Sequence, residues 1–269
     1  MPVLGARAHD YRGNSPEELF AHIAGDGFRA IQLAFPKSFG VGYPVPEAFI
    51  EETAAALEKH CLHLAVVGCY IDPALPDKRD TRAQVEKFIS ALPAAKALQA
   101  GCVGTETTNF QKAGADRKKA LPILIDSLKQ MADAAEKLGV NIGIEPVYAH
   151  VMHNVEETLE VLEKVGSSRV KIIWDAVNML SLETAKDQPG FYRMCYNAFR
   201  GRLCAMHLKD FAFDEKGEKP SRPLFEGQLD VPALLTLVKE HELLPILREE
   251  ALPERSVREI AAIDEILKK

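Results

Sequence analysis

The chain has 269 residues, 47% of them hydrophobic and 27% charged, with a formal net charge of −6. That balance allows a sizeable buried core without disulfides or a membrane, and it argues against nucleic acid as a partner, because a phosphate backbone needs a concentrated cationic surface. The five cysteines, odd in number and without a C-x-x-C pair, fit a reducing compartment and a cytoplasmic protein. No run approaches the roughly 20 apolar residues that span a bilayer, and "MPVLGARAHDY" has no basic region followed by an apolar core, so neither a membrane partner nor a secretory signal is expected.

Short apolar runs alternate with longer amphipathic segments, the signature of repeated strand-helix units. The first strand is read at "VLGARAH" (3–9), followed by "SPEELFAHIAGDG", where Ser15 caps a helix, Pro16 takes the first turn and Glu18 completes a capping box. Strands follow at "AIQLAF" (30–35), "HLAVVGCYI" (63–71) and "GCVGTET" (101–107). The basic cluster "DRKKA" (116–120) opens a helix and reads as solvated. Next come "NIGIEPV" (141–147), a helix started by Asn154 with Glu157, "VKIIWDAV" (170–177) and "LCAMHLKD" (203–210). "DEKGEKPSRP" (214–223) reads as one long loop, "LFEGQLD" (224–230) as a substrate-gating loop, and Asp230 starts the helix "VPALLTLVKEH". The last strand is "LPILREE" (244–250), and Ser256 with Glu259 is read as the start of the last helix.

Eight strand-helix units in one chain of this length predict a closed (β/α)8 TIM barrel, a single domain over residues 1–269. A dinucleotide-binding sheet is the weaker option, since "GARAHDYRG" has the wrong spacing for a G-x-G-x-x-G loop. In such barrels the chemistry sits at the carboxyl ends of the strands. There the late strands place Glu145, Asp175, His207 and Glu249 with Glu250. Each alone has a structural explanation: an acid after a strand caps a loop, and a histidine there is hydrogen-bonded in place. Four on adjacent strands converge, and two glutamates, an aspartate and a histidine make a divalent metal site.

Strand parity favours Glu249 over Glu250, because Glu249 faces inward with Leu247. The same alternation sends His207 and Lys209 into the pocket and leaves Asp210 to hold the loop. Lys209 is then placed either to stabilise a developing oxyanion or to pair with a site acid. His9 is expected to line the pocket, against substrate or bonded to a loop, and His150 either reaches the pocket or is a loop residue. Glu106 joins the pocket or pairs with a basic neighbour, and Tyr70 belongs to the pocket wall. Trp174 is expected between strand six and a helix.

"IGIEPV", "WDAVN", "MHLKD" and "PILREE", with "RAHDY" and "VVGCYIDPALPD", resemble the sugar phosphate isomerase/epimerase group of the xylose-isomerase-like TIM barrels, over nearly the whole chain. The resemblance implies a metal held by Glu145, Asp175, His207 and Glu249, with the two glutamates doubling as catalytic acid and base. Three oxygen donors and one imidazole favour one divalent ion, Mn²⁺, Mg²⁺ or Co²⁺, with Zn²⁺ also allowed, and the resemblance implies a small-molecule sugar or sugar phosphate as substrate. Asn178 stands where ketose 3-epimerases of the group carry a histidine; it bonds a hydroxyl but carries no charge.

The leading expectation is a metal-dependent isomerase or epimerase of a small sugar, sugar phosphate or hydroxyketone, working through an enediolate. The alternatives are a dehydratase on the same site and a non-catalytic barrel acting as a binding module. A DNA-repair endonuclease shares the barrel, but the acidic balance and the few suitably placed histidines speak against it. Barrels of this kind often pair, so a homo-oligomer is compatible with the sequence.

Overall fold

The structure, a computed structural model, describes residues 1–269. Eight parallel strands close into a barrel: Val3–Arg7, Ala30–Leu33, His63–Gly68, Cys102–Glu106, Ile142–Glu145, Val170–Asp175, Leu203–Leu208 and Pro245–Arg248. The eighth strand closes the ring by lying between the first and the seventh, with Val3 opposite Pro245 and Leu247 opposite His207. Helices surround this ring, and the helix-facing sides of the strands form the main core with residues such as Phe20, Phe28, Phe88 and Trp174. No helix is long and apolar enough to cross a membrane.

All eight expected strands are present, but each ends one to three residues before its expected carboxyl end. The chain turns there into caps. Ala8–Asp10 forms a short 3₁₀ turn, and Asp175 caps the four-residue helix Ala176–Met179 by accepting from Asn178 N.

Most of the helix starts are where the sequence places them. Ser15 Oγ accepts from Glu18 N at 3.2 Å, although the Glu18 carboxylate reaches Asn14 N rather than Ser15. Asn154 accepts from Glu157 N and Asp230 from Ala233 N. The last helix is different: it runs Pro253–Lys268, so Ser256 and Glu259 lie inside it and are buried. Pro253 in the first turn sets the start, and a three-residue spacing also puts two side chains on one helix face. That inner face docks on the barrel, with Ser256 Oγ 2.7 Å from Tyr11 Oη and Glu259 receiving Arg248. Segment 214–223 is also more than a loop: Ser221–Arg222 pairs antiparallel with Asp210–Phe211. The Asp210 carboxylate accepts from Phe211 N, Gly227 N and Leu229 N, fixing the second half of segment 224–230 against the ribbon.

The barrel interior has a small apolar floor, Ala30, Ala65, Val66, Cys102, Ile173, Ala205 and Leu247. Ile173 fills the lumen because Gly104 and Gly143 leave space for it; a Cβ on either would lie within 3 Å of the Ile173 side chain. Two residues beyond floor positions the inward side chains turn polar: Gln32 after Ala30, Asp175 after Ile173, His207 after Ala205 and Glu249 after Leu247. Period-two alternation thus stacks a polar layer on an apolar base, at the carboxyl mouth.

Candidate metal centre and active site

Glu145, Asp175 and His207 are buried and offer ligand atoms that lie within 4.8 Å of one another. Nowhere else in the chain do three such side chains converge. His207 Nδ1 is 3.3 Å from Glu145 Oε2 and 3.5 Å from Glu249 Oε1, yet it makes no hydrogen bond. Glu249 therefore flanks the three-residue cluster rather than completing it at the same spacing. The choice between the last two acids is physical: Glu249 is buried, whereas Glu250 is exposed and turns the chain with φ +55.

The remaining contacts define the electrostatics. Lys209 Nζ bridges Asp175 Oδ2 at 2.9 Å and Glu249 Oε2 at 3.1 Å, so the lysine of "MHLKD" both faces the pocket and pairs with the site acids. Arg7 Nη1 lies 3.4 Å from Glu249 Oε1 and also binds Asp10. Asn178 Nδ2 donates to Glu145 Oε1 at 2.6 Å. Burial raises the cost of charging Glu249, but the positive charges of His207, Lys209 and Arg7 prevail and hold its carboxyl well below the ordinary range. Burial likewise opposes an imidazolium at His207, and the Glu249 and Glu145 carboxylates outweigh it, lifting the ring to about 9. Lys209 is held charged by Asp175 and Glu249 against the effect of its burial.

Glu106, at the end of strand four and in register with Glu145, is pushed up to about 7 by burial and by the charges of Glu145 and Glu249. Its Oε2 lies 3.7 Å from His150 Nε2. Both line a polar cleft of about 400 Å³ with Tyr70, Asp72, Lys87 and Lys112. His150 thus lines this cleft beside Glu106, where a backbone bridge to Asn109 holds residue 150 near the end of strand four. His9 sits in the 3₁₀ turn just after strand one, where burial and the charges of Arg7 and Lys37 lower it to about 4. Its Nδ1 is buried without a partner.

Two polar residues complete the mouth without having been singled out in the sequence. Gln32 Oε1 meets His207 Nε2 at 2.7 Å, and Gln32 Nε2 donates to the Tyr70 hydroxyl. Arg7 is the second. A signal for both existed: each is the one strongly polar residue at an inward position of an otherwise apolar strand. Trp174 is fully buried against Tyr192 and Tyr196 of the helix Gln188–Phe199, as expected.

A parallel eight-stranded barrel with a buried Glu/Asp/His cluster at its carboxyl mouth defines the class of protein. The chain belongs to the xylose isomerase-like TIM barrel family, whose model matches residues 20–258. Among solved structures, 3-keto-D-glucoside 4-epimerase from E. coli superposes with a TM-score of 0.78 at 15% identity, covering 98% of this chain and 100% of that one. The IOLI protein with a bound zinc atom gives 0.74 at 15% identity, with 99% and 98% covered. A xylose isomerase-like TIM barrel protein from Mycobacterium smegmatis in complex with magnesium gives 0.74 at 14% identity, with 99% and 97% covered. No curated protein matches the sequence.

Proposed function

We propose that the protein is a divalent-metal-dependent isomerase or epimerase of a small sugar, sugar phosphate or related hydroxyketone. The observation that carries this reading is the convergence of Glu145, Asp175 and His207 at the mouth, with Glu249 beside them. The donor set fits a cation: oxygen donors and one imidazole suit Mn²⁺, Mg²⁺, Co²⁺ or Zn²⁺, and His207 Nδ1 is a buried nitrogen with no protein partner. Glu145, Asp175 and His207 would hold the ion, with Glu249 as fourth ligand. The neighbours, an epimerase and proteins carrying zinc or magnesium, support a sugar epimerase or isomerase that uses a metal.

When bound, the metal supplies Lewis acidity, polarising a ketone carbonyl and acidifying the neighbouring C–H. The protein's own groups handle the proton. Glu145 and Glu249 both approach His207 Nδ1, so two carboxylates stand close to where a reacting carbon would lie. Return of a proton by the second carboxylate to the same carbon inverts it; return to the adjacent carbon interconverts aldose and ketose. The Lys209 ammonium meets the charge that develops on the substrate oxygen, and Asn178 fixes one oxygen of Glu145.

The test combines metal analysis of the purified protein with solvent-deuterium exchange over a panel of ketoses and ketose phosphates. Stoichiometric metal and exchange lowered about 10²- to 10⁴-fold in Glu145→Gln and Glu249→Gln are expected. No stoichiometric metal after addition of Mn²⁺, or unchanged exchange in both variants, refutes the reading. A dehydrated product with no deuterium retained in the substrate would assign a dehydratase instead.

A further inference from the structure

Gln32 comes from strand two, separated in the ring from His207 in strand seven by strands one and eight, and the two meet through the barrel lumen. Its side chain is fully buried in the polar layer. A primary amide presents one acceptor and one donor end. The Tyr70 hydroxyl can serve either end, so the orientation follows from the ring: Nδ1 is the nitrogen turned toward the site acids, and an imidazole that coordinates through Nδ1 keeps its hydrogen on Nε2. The Gln32 carbonyl oxygen, 2.7 Å from Nε2, then accepts that hydrogen while the amide nitrogen donates to Tyr70 Oη. Nδ1 itself has no hydrogen-bond partner.

We propose that Gln32, oriented by Tyr70, is the positioning residue that fixes the tautomer and ring orientation of His207 so that Nδ1 points into the metal site. The proposal rests on the metal-site assignment above. The physical requirement is general: a ligating imidazole holds its geometry by donating its other N–H to an acceptor, and losing that acceptor lowers metal affinity about 10- to 100-fold. Gln32 also leaves the Tyr70 oxygen as acceptor of the amide hydrogen, so the hydrogen of the Tyr70 hydroxyl is free to point elsewhere.

Titration calorimetry with Mn²⁺ on wild type, Gln32→Met and Gln32→Glu tests the role. Gln32→Met should bind about 10- to 100-fold more weakly, and Gln32→Glu, which keeps an acceptor opposite Nε2, should recover most of the loss. Long-range ¹⁵N–¹H spectra of the wild type loaded with diamagnetic Zn²⁺ should show the His207 hydrogen on Nε2. Equal Mn²⁺ affinity in wild type and Gln32→Met overturns the proposal while leaving the metal site standing; a hydrogen on Nδ1 with Nε2 bare overturns it together with His207 as a ligand through Nδ1. Failure of the wild type itself to bind any of the ions removes the metal site, a distinct outcome. The wild-type spectrum decides the matter even if Gln32→Met does not fold.

Discussion

Replacing Glu259 by Gln should destabilise the whole barrel, although Glu259 lies outside the mouth. Arg248 and Glu259 are only 2% and 3% exposed, and the guanidinium donates to Glu259 Oε2 from Nε at 3.0 Å and from Nη2 at 2.8 Å. The same Arg248 donates from Nη1 to Leu208 O and, at 3.0 Å, to Glu249 O. The pair therefore ties the last helix to the carbonyls of the two strands that deliver His207 and Glu249. Glu259→Gln neutralises one partner and leaves a buried guanidinium uncompensated, a loss of about 3–5 kcal/mol. For a chain of this size each kcal/mol lowers Tm by roughly 2–4 °C, so the melting point should fall by roughly 6–20 °C. Calorimetric melting of Glu259→Gln, Arg248→Met and the double variant Arg248→Met/Glu259→Leu is the assay. The double variant should recover most of the loss, because an apolar pair leaves no stranded charge. A loss below about 1 kcal/mol in Glu259→Gln, or a double variant less stable than both singles, refutes the reasoning.

Two further outcomes follow from the charged groups at the mouth. Lys209→Met takes away the cation shared by Asp175 and Glu249, so the metal-free protein should lose about 3 kcal/mol, while Mn²⁺ should raise its Tm by more than it raises that of the wild type; equal shifts in the two proteins count against it. His9 is lowered to about 4 by burial and by Arg7 and Lys37, below its unfolded value of about 6.5. The unfolded state therefore binds the proton first, and the stability His9 contributes is fully present above about pH 6.5 and lost as pH falls toward the folded pKa. Urea unfolding between pH 7 and pH 4.5 should accordingly show a steeper acid decline in wild type than in His9→Gln; parallel declines show that His9 plays no part.

Local rules carried much of the fold. Capping residues such as Asn154 and Asp230 act over three residues, and strand alternation acts over two, so both are visible in a linear string. Alternation also chose Glu249 over Glu250 and turned Lys209 inward with His207. It was silent on which strand ends meet across the lumen. Gln32 meets His207 at a separation of 175 residues, and nothing near either residue encodes that distance. The same blindness placed Ser256 and Glu259 at a helix start, because the one-turn spacing that makes a capping box also defines a buried face. His150 lines the cleft beside Glu106, held there by its bridge to Asn109 in the chain after strand four, a pairing that no local pattern around residue 150 announces.

The two glutamates that flank His207 are held by different chemistry, and that difference bears on their roles. Glu249 is gripped by two cations, with Lys209 on Oε2 and Arg7 on Oε1, which keep it ionised and make it a reluctant proton acceptor. Both carboxylates face His207, but the other partner of Glu145 is neutral, the Asn178 amide on Oε1, and its Oε2 is turned toward His207. Paired carboxylates in unlike environments divide acid and base work between them. On the proposed reading proton removal falls first to Glu145, and the deuterium-exchange loss should be greater in Glu145→Gln than in Glu249→Gln for a substrate that reacts from the Glu145 side. The reverse order across the whole ketose panel would assign the base to Glu249 and leave the Asn178 contact as a means of placing a metal ligand.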